Sequence, residues 1–329
     1  MTLRVPLCVR IAGTASVMPG RAVSTAEVAR NVAPPRDADD IVARTGIVSR
    51  RFVDADESPA RLGAEALARA LDAAGLPATA LARLVFVTSG GGDLLFPATA
   101  NLVAAALGLA GTCDCFDLNN ACMGFLTALD LGARSIATGS GPIGIAVVEL
   151  GSRAVTAADP RPYLVFGDGV AAAVLTEGRA GEGILGSHLW NDGIQFGNVR
   201  LTNPMKSGRL ETIRFTAPSA QMGKEAIAAV RRSTDAVLAE AGLALADLEW
   251  ILPHQPNGPL LEAIIGALGL ARERVVPVVH ETGSVGAASI PLSLDCLLRT
   301  RDVRPGDRIL MVGVGGGLSS GAILYRVGA

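Results

Sequence analysis

Apolar residues recur along this chain with two spacings, one typical of helices and one typical of strands. The helical spacing runs through Leu62–Leu76 and again through Ala226–Leu243. Short apolar runs rich in strand formers follow each of them, at 85–90 and at 250–254. Long amphipathic segments that alternate with short apolar runs predict βαβ units, in which helices cover mostly parallel sheets. The pattern therefore indicates a protein of the α/β class.

The same order of elements occurs twice. The two long helices both end in Ala-Gly-Leu, and two further helical segments, 102–109 and 260–270, both end in Ala-Leu-Gly-Leu. A strand and a turn follow the first of these, and Val275–Val279 with a turn takes the same place after the second. The offset of about 160 residues indicates a duplicated domain rather than a solenoid. We therefore predict two halves, 1–178 and 179–329, whose equivalent loops face each other across a pseudo-dyad. Strand pairs complete both halves, 143–150 with 163–175 and 308–314 with 321–327.

Composition narrows the class of protein further. Half of the 329 residues are apolar, which lets the chain bury a large core, and the formal net charge is −2. Acidic and basic residues are interspersed, so neither a nucleic acid nor a membrane surface is expected as a partner. No apolar run is long enough to cross a bilayer, and the N-terminus lacks the apolar core of a signal peptide. Five cysteines in so long a chain fit reduced thiols, so we expect a cytoplasmic protein.

The segment 117–125, Asp-Leu-Asn-Asn-Ala-Cys-Met-Gly-Phe, carries the most informative cysteine. A strand-forming run ends there, and a helical pattern begins just after Cys122. The free N–H groups at a helix N-terminus favour a thiolate over a thiol, so we expect an ionised Cys122. The small residues Ala121 and Gly124 leave room for a substrate, and such a thiolate is suited to attack a thioester. The other cysteines are expected to be small buried hydrophobic residues: Cys8, Cys113, Cys115 and Cys296.

Seven short motifs occur in order along nearly the whole chain. They are Arg44-Thr-Gly-Ile47, Phe96-Pro97, Ala121–Phe125, Phe166-Gly-Asp-Gly169, Pro253-His-Gln-Pro-Asn257, Ala287–Pro291 and the glycine run 315–317. Together they resemble the ketoacyl synthase III branch of the thiolase superfamily, the condensing enzymes of fatty-acid and polyketide biosynthesis. The resemblance implies a thiolase-like, duplicated, five-layered αβαβα fold. It also implies a homodimer that forms through a strand near the nucleophile.

The resemblance implies a role for individual residues. Cys122 would take the acyl group from a thioester of coenzyme A or of an acyl carrier protein. The backbone N–H groups of Cys122 and Gly316 would form the oxyanion hole, and His254 would act in general acid–base steps on the second substrate. No metal and no bound cofactor is implied, because the coenzyme A or phosphopantetheine thioester is itself the substrate. His188 and His280 are expected to be surface or structural residues.

Four further residues would contact the substrates, again by resemblance. Arg44 and Asn257 would hold the pantetheine or nucleotide end of the donor. Phe96 would close the acyl tunnel of the neighbouring subunit, and Met123 would shape the tunnel beside the nucleophile.

One departure from the family pattern bears directly on the reaction. Ser284 stands where the family has an asparagine that, with the histidine, stabilises the enolate formed when a malonyl-thioester loses carbon dioxide. A hydroxyl offers one donor whereas an amide offers two, and the loss of such a donor typically costs on the order of a hundredfold in rate. Three other departures lie where the family contacts its thioester substrates. Asp40 replaces a tryptophan that stacks on the adenine of coenzyme A, and 219–223, at a wall of the pantetheine channel, reads Ser-Ala-Gln-Met-Gly. Pro259 replaces a basic residue, and the helix 260–270 has no lysine or arginine, in the region where family members receive the acidic carrier protein.

The leading interpretation is an acyltransferase or non-standard condensing enzyme of specialised metabolism. Cys122 and His254, assisted by Ser284, would pass an acyl group from coenzyme A or a carrier protein to a small-molecule acceptor. The alternatives are a decarboxylating 3-oxoacyl synthase that uses malonyl-thioester, a non-catalytic subunit of a paralogous synthase, and a thiolase or hydroxymethylglutaryl-type synthase. The last would need another acid–base group, for which Glu149 is the candidate. The expected role of Glu149 is instead a salt bridge with Arg153.

Overall fold

The computed structural model describes residues 6–109 and 111–328. The first five residues, part of the stretch predicted to lack a signal peptide, lie outside the described residues. Within the described ranges, no helix is both long and apolar enough to cross a membrane. The strands are β1 (Val9–Val17), β2 (Arg21–Ser24), β3 (Ser49–Phe52), β4 (Arg83–Val87), β5 (Asp114–Leu118), β6 (Ile143–Leu150), β7 (Asp168–Glu177), β8 (Gly183–Asn191), β9 (Val199–Arg200), β10 (Arg214–Phe215), β11 (Trp250–Pro253), β12 (Arg308–Gly315) and β13 (Ser319–Arg326). The helices are α1 (Thr25–Asn31), α2 (Ala38–Thr45), α3 (Pro59–Ala74), α4 (Thr99–Ala106), α5 (Gly124–Ala137), α6 (Pro160–Tyr163), α7 (Pro204–Ser207), α8 (Ser219–Ala241), α9 (Gly258–Leu268), α10 (Val279–Thr282) and α11 (Ser289–Thr300).

Two large sheets organise the described chain. The first has the strand order β1-β7-β6-β4-β5, and the second has the order β11-β12-β13-β8. In the first sheet β4 runs parallel to β5 and β6, whereas β7 runs antiparallel to β6 and β1. The second sheet has one parallel pair, β11 with β12, and two antiparallel pairs. The prediction of mostly parallel sheets is wrong, because β7 and β13 fold back beside the preceding strand instead of crossing over behind a long helix.

The two sheets repeat one topology. Strands β4, β6, β7 and β1 of the first sheet are matched by β11, β12, β13 and β8 of the second. The counterpart of β5 is reduced to one parallel bridge between Val275 and Ile251, so the strand predicted at Val275–Val279 does not form. Pro277 has no N–H to give to a ladder, and the chain turns into α10 at Val279.

The sheets and helices stack in five layers. Successive residues of β4 face opposite sides, as strand geometry requires. Val85 and Val87 pack in the central core with Phe125 of α5, whereas Leu84 and Phe86 pack in the outer core that contains α3 and α4. Helix α11 joins α5 in the central core between the sheets, and α8 and α9 cover the second sheet. The arrangement is therefore αβαβα.

A buried carboxylate helps to join the two halves. Asp295 of α11 is 1% exposed and accepts hydrogen bonds from the hydroxyls of Thr14 and Ser16 in β1, at 2.9 and 2.6 Å. Hydrogen bonds to a charged group are stronger than neutral ones. They fix the central helix of the second half onto the first sheet.

The repeated Gly-Leu sequences are helix ends. Gly75, Gly242 and Gly269 are the C-caps of α3, α8 and α9, with φ angles of 67°, 66° and 65°. Gly108, just beyond α4, has a φ of 71°. Glycine adopts this left-handed conformation without steric cost. The repeated Gly-Leu sequence thus marks the C-terminal ends of helices in both halves.

Candidate active site

The turn that carries Cys122 joins the end of β5 to the start of α5. Ala121, just before the cysteine, has a φ of 45°, in a region that costs a residue with a side chain about 1–3 kcal/mol. Its N–H donates to Oδ1 of Asn119 at 3.1 Å, and its carbonyl accepts from the N–H of Gly124 at 3.0 Å. These hydrogen bonds hold the strained turn in place.

Small residues let the two halves approach each other at this turn. A side chain at Gly124 would lie 2.5 Å from Val87 and 3.4 Å from the methyl group of Ala287. A side chain at Gly315, at the end of β12, would lie 3.1 Å from the backbone nitrogen of Cys122. The cysteine turn therefore lies between the end of β12 and the segment that follows Ser284, the juxtaposition that the sequence repeat predicts.

Two side-chain amides hold the glycine-rich loop against the cysteine turn. Asn120 donates to Thr127 of α5 at 2.8 Å and accepts from the hydroxyl of Ser319 at 3.1 Å. Asn191 donates to the carbonyl of Gly317 and to the same Ser319 hydroxyl, both at 3.0 Å. Together they connect β8 and β13 of the second half to α5 of the first.

The surroundings of the Cys122 thiol disfavour its ionisation. Burial, with the negative charge of Glu149, raises the pKa of the thiol to about 12, although hydrogen bonding from the N–H groups of Cys122 and Gly316 lowers it. The expectation of an ionised cysteine is wrong, because desolvation disfavours the charged form more strongly than the N–H groups favour it. The resting nucleophile is a thiol.

His254 directly follows β11 and is 2% exposed. Its backbone N–H donates to the carbonyl of Val312 at 2.8 Å, three residues before Gly315, so the residue lies at the same end of the second sheet as the cysteine turn. Burial lowers the pKa of the imidazole to about 4, which makes it neutral at physiological pH. Among the described residues Nδ1 of His254 has no partner. The ring can therefore accept a proton or contact a substrate.

Gln255 fixes the segment that carries this histidine. It is fully buried, and its amide nitrogen donates to the carbonyl of Val276 at 2.8 Å and to the hydroxyl of Ser293 at 3.0 Å. Its amide oxygen accepts from the N–H groups of Val278 and Val279, at 2.8 and 3.1 Å. One side chain thus replaces the missing strand ladder as the partner of residues 276–279. The sequence analysis missed this role, although a glutamine two residues after an apolar strand is a signal of an amide that needs partners if it is buried.

Ser284 lies in a loop that passes between the halves. It is 4% exposed, its N–H donates to the carbonyl of Val165 at 2.7 Å, and its carbonyl accepts from the N–H of Gly167 at 3.0 Å. Phe166, between these two residues, forms a parallel bridge with Ser284. The backbone of Ser284 is therefore fixed on both sides.

Glu149, at the end of β6, links two loops beside the thiol. Its carboxylate accepts from the hydroxyl and N–H of Ser89, at 2.5 and 3.2 Å, and from the N–H of Ala287 at 3.3 Å. Burial raises the pKa of Glu149 to about 7, although these hydrogen bonds lower it. The predicted salt bridge with Arg153 is wrong, because Arg153 donates to the carbonyls of Asp54 and Ala55, each at 3.2 Å.

The residues expected to hold the donor lie on two adjoining helices. Asn257 caps the start of α9, accepting from the N–H of Leu260 at 2.9 Å. Arg44, near the end of α2, is 76% exposed and pairs with Asp40 at 2.8 Å. A side chain on Gly46, the C-cap of α2, would lie 2.8 Å from the Cα atom of Gly258, so the two helix ends touch. The structure thus brings the regions of Arg44 and Asn257 together.

Two other predicted contact residues lie in contrasting environments. Phe96 is 89% exposed in the loop between β4 and α4, so its ring is not covered by the described chain. Met123 is 1% exposed in the central core, and side chains at Gly313 and Gly321 would touch its sulfur and terminal methyl. Met123 is therefore packed under the cysteine turn against β12 and β13.

The remaining cysteines and histidines lie outside this arrangement. The prediction that the other cysteines are buried is wrong for Cys8, which is exposed, while Cys113, Cys115 and Cys296 keep partial exposure. His280 is structural as predicted, with Nδ1 2.6 Å from the carbonyl of Gly46. Over the described ranges, no group of three His, Cys, Asp or Glu residues could hold a metal ion.

Comparisons with known proteins found matches in both halves of the chain. A family model described as 3-oxoacyl-[acyl-carrier-protein] synthase III matches residues 116–193, and the model of the C-terminal part of the same family matches 238–327. The β-ketoacyl-[acyl-carrier-protein] synthase III of Neisseria meningitidis is 34% identical over 321 residues, which cover 96% of this chain and 98% of the relative.

Solved structures show the same fold. The 3-oxoacyl-(acyl carrier protein) synthase III of Pseudomonas aeruginosa is 31% identical, with a TM-score of 0.90 over 98% of this chain and 99% of that one. A priming β-ketosynthase of a polyketide biosynthetic pathway is 29% identical, with a TM-score of 0.88 over 99% of both chains. The predicted thiolase-like αβαβα fold is confirmed.

Replacing Gln255 tests whether its hydrogen bonds to the backbone of residues 276–279 stabilise the fold. Gln255→Leu leaves the carbonyl of Val276 and the N–H groups of Val278 and Val279 buried without partners, so we expect the free energy of unfolding to fall by about 2–4 kcal/mol. Denaturant titration measures the change. Gln221→Leu is the matched control, because Gln221 is exposed and its side chain donates to Glu225 one turn further along α8. Equal unfolding midpoints for the two variants would show that these hydrogen bonds do not stabilise the fold.

The raised pKa of Cys122 predicts a particular pH dependence of alkylation. Because the thiol pKa is about 12, iodoacetamide labelling of Cys122 should accelerate about tenfold per pH unit from pH 7 to 10 without a plateau. Glu149→Gln removes the negative charge that raises this pKa, so labelling should be faster at each pH. Peptide mass spectrometry distinguishes Cys122 from the other cysteines, and Glu262→Gln on α9 is the control. A plateau below pH 8 would show that the thiolate already exists.

Proposed function

The chain belongs to the 3-oxoacyl-[acyl-carrier-protein] synthase III family, and we propose that it carries an acyl group on Cys122 and passes it to a second substrate. The observation that supports this most directly is the packing of the Cys122 turn against the end of β12, where a side chain on Gly315 would lie 3.1 Å from the backbone nitrogen of Cys122. We infer that the neighbouring N–H groups of Cys122 and Gly316 form the oxyanion hole for a thioester carbonyl under attack.

Loading begins from a neutral thiol and a neutral imidazole. The sulfur of Cys122 attacks the thioester carbonyl carbon, a carbon–sulfur bond forms, and the thiol proton passes to His254. The N–H groups of Cys122 and Gly316 stabilise the oxyanion of the tetrahedral intermediate. When the bond to the donor sulfur breaks, the proton moves from the imidazole to the leaving thiolate. An acyl-enzyme and a free thiol remain, and His254 is neutral again.

We propose that the second substrate contacts His254 and Ser284. The neutral imidazole accepts the proton of an attacking nucleophile. The bond between the acyl carbon and Cys122 then breaks, and the imidazole gives the proton to the cysteine sulfur, which restores the thiol. A serine hydroxyl offers fewer donors to an enolate than an amide does. We therefore propose that the chain transfers its acyl group to a small-molecule acceptor, in specialised metabolism, without decarboxylating malonyl-thioester.

Decarboxylative condensation is the second candidate function. The relatives at 31–34% identity are named 3-oxoacyl or β-ketoacyl synthases of acyl carrier protein, and the fixed backbone of Ser284 lets its hydroxyl serve as a donor. In this case His254 and Ser284 would together stabilise the enolate.

Intact-protein mass spectrometry separates the two functions. Incubation with a panel of acyl-coenzyme A thioesters that includes malonyl-coenzyme A should give a stable adduct on the wild type and on Cys296→Ala, the matched control. Cys122→Ala should give none. A malonyl adduct that keeps its carboxylate supports transfer without decarboxylation, whereas an acetyl adduct supports the condensing function. A full adduct on Cys122→Ala would overturn both.

Ser284→Asn provides an independent test of the acceptor chemistry. If the serine limits decarboxylation, the asparagine should increase carbon dioxide release from malonyl-coenzyme A by about a hundredfold. Loading of Cys122 should stay within about twofold, because the N–H groups of Cys122 and Gly316 are unchanged. Equal carbon dioxide release by the wild type and the variant would show that Ser284 does not set the reaction.

We also propose that the chain acts as a homodimer. Strand β5, which leads into the Cys122 turn, is an edge of the first sheet, with one side of its backbone open to pairing. Leu95 and Phe96, in the loop before α4, are 76% and 89% exposed. A second copy would cover both features. Light scattering should give twice the 33.6 kDa monomer mass, and a monomer at assay concentration would overturn the proposal.

A further inference from the structure

Two residues that carry side chains adopt a left-handed backbone conformation in the described chain, and both lie at the candidate active site. Ala121 and Leu318 each have a φ of 45°. This conformation costs a residue other than glycine roughly 1–3 kcal/mol, and it persists only where the surrounding structure imposes it. Ala121 directly precedes Cys122, and Leu318 ends the turn that begins at Gly316. Each strained residue therefore lies within two positions of an N–H group of the proposed oxyanion hole.

A side-chain hydrogen bond joins the immediate neighbours of the two strained residues. The hydroxyl of Ser319, which follows Leu318, donates to Oδ1 of Asn120 at 3.1 Å. Asn120 in turn precedes Ala121, so the bond runs from the glycine-rich turn of the second half to the cysteine turn of the first. Ser319 is buried, and a buried hydroxyl that lost this acceptor would have little water to replace it.

Further hydrogen bonds fix both ends of this link. The amide nitrogen of Asn120 donates to the hydroxyl of Thr127 on α5 at 2.8 Å. At the other end, Asn191 donates to the Ser319 hydroxyl and to the carbonyl of Gly317, both at 3.0 Å. The Ser319 hydroxyl thus accepts from one amide and donates to the other, which sets the direction of its proton. A link with both ends anchored can hold two turns at one separation.

We propose that the hydrogen bond between Asn120 and Ser319 sets the spacing of the two oxyanion-hole N–H groups, which makes both residues positioning residues for acylation of Cys122. The inference rests on the proposed function and adds two residues to the same site. The two N–H groups belong to turns from different halves, and no single strand or helix contains both. Their spacing must therefore come from contacts between the turns.

The proposed role acts on the chemical step rather than on donor binding. An oxyanion exists only while the thioester carbonyl is under attack, so donors that are slightly too far apart slow acylation without weakening the bound donor. A small misplacement of such groups typically costs on the order of a hundredfold in rate.

Removing either partner of the hydrogen bond tests the proposal. Asn120→Ala and Ser319→Ala should each slow acylation by about tenfold to a hundredfold at saturating donor, with the half-saturating donor concentration within about twofold. Rapid quenching and intact-protein mass spectrometry measure both quantities, using the best donor of the acyl-coenzyme A panel. Because the two residues act through one bond, the double variant should be within about twofold of the slower single variant. Additive losses would overturn the proposal.

Alkylation by iodoacetamide separates oxyanion stabilisation from a general disturbance of the site. This reaction uses the same Cys122 sulfur but passes through no oxyanion, so both alanine variants should be alkylated within about twofold of the wild-type rate. Peptide mass spectrometry follows the labelled cysteine. If alkylation slows as much as acylation, the variants disturb the nucleophile itself, and the proposal is wrong.

Two further serine variants complete the experiment. Ser320→Ala is the matched control, because Ser320 is the next residue of β13, is 1% exposed and lies 3.4 Å from the hydroxyl of Ser233 on α8. It should be acylated like the wild type. Ser319→Thr keeps a hydroxyl and should regain most of the rate that Ser319→Ala loses.

The remaining outcomes distinguish this inference from the proposed function. Unchanged acylation in both alanine variants, or equal slowing in Ser320→Ala, would overturn the positioning role and leave the proposed function standing. A wild type that iodoacetamide alkylates but that takes no acyl group from any donor would overturn the proposed function, and this inference with it.

Discussion

The structure depends on how closely the N-termini of the two central helices approach each other. Gly124 at the start of α5 lies against Val87 and Ala287, where a side chain would clash at 2.5 Å with the valine. Because α5 and α11 are both buried between the sheets, neither can withdraw without opening the core. This contact brings a cysteine from one half next to a serine loop from the other. The site is therefore a property of the packed pair of halves and of neither half alone.

The same packing determines the protonation states at the site. A thiol whose pKa is raised to about 12 and an imidazole whose pKa is lowered to about 4 are both neutral at rest. A preformed ion pair would need solvation that a buried site does not provide. The two described non-glycine residues with positive φ, Ala121 and Leu318, flank the cysteine and the glycine-rich loop. Backbone strain and desolvation are thus concentrated around the nucleophile, and the amides of Asn120 and Asn191 hold both turns in place.

The order of the elements could be predicted from the sequence, and so could the positions of Cys122, His254 and Gly316 just after strands. The burial and the protonation states of the side chains could not. Glycine motifs and the repeat are local signals, so the helix ends and the approach of the two loops could be predicted. The ionisation of Cys122 could not, because desolvation depends on residues distant in sequence. Glu149 was assigned to Arg153 by proximity along the chain, whereas in the fold it faces Ser89 and Ala287. A periodicity analysis could not foresee that the side chain of Gln255 takes the place of a strand.

The loss of that strand also changes the symmetry between the halves. A faithful duplication would leave two equivalent open edges, one at β5 and one beside β11. Here residues 276–279 give their backbone groups to Gln255, and only the bridge from Val275 to Ile251 remains of the second edge. The first sheet therefore ends in a complete strand just before the cysteine turn, whereas the second ends at β11, whose neighbouring segment is held by a side chain instead of a ladder. The halves thus share one topology but differ at this edge, where a backbone ladder in one half is replaced by a single amide in the other.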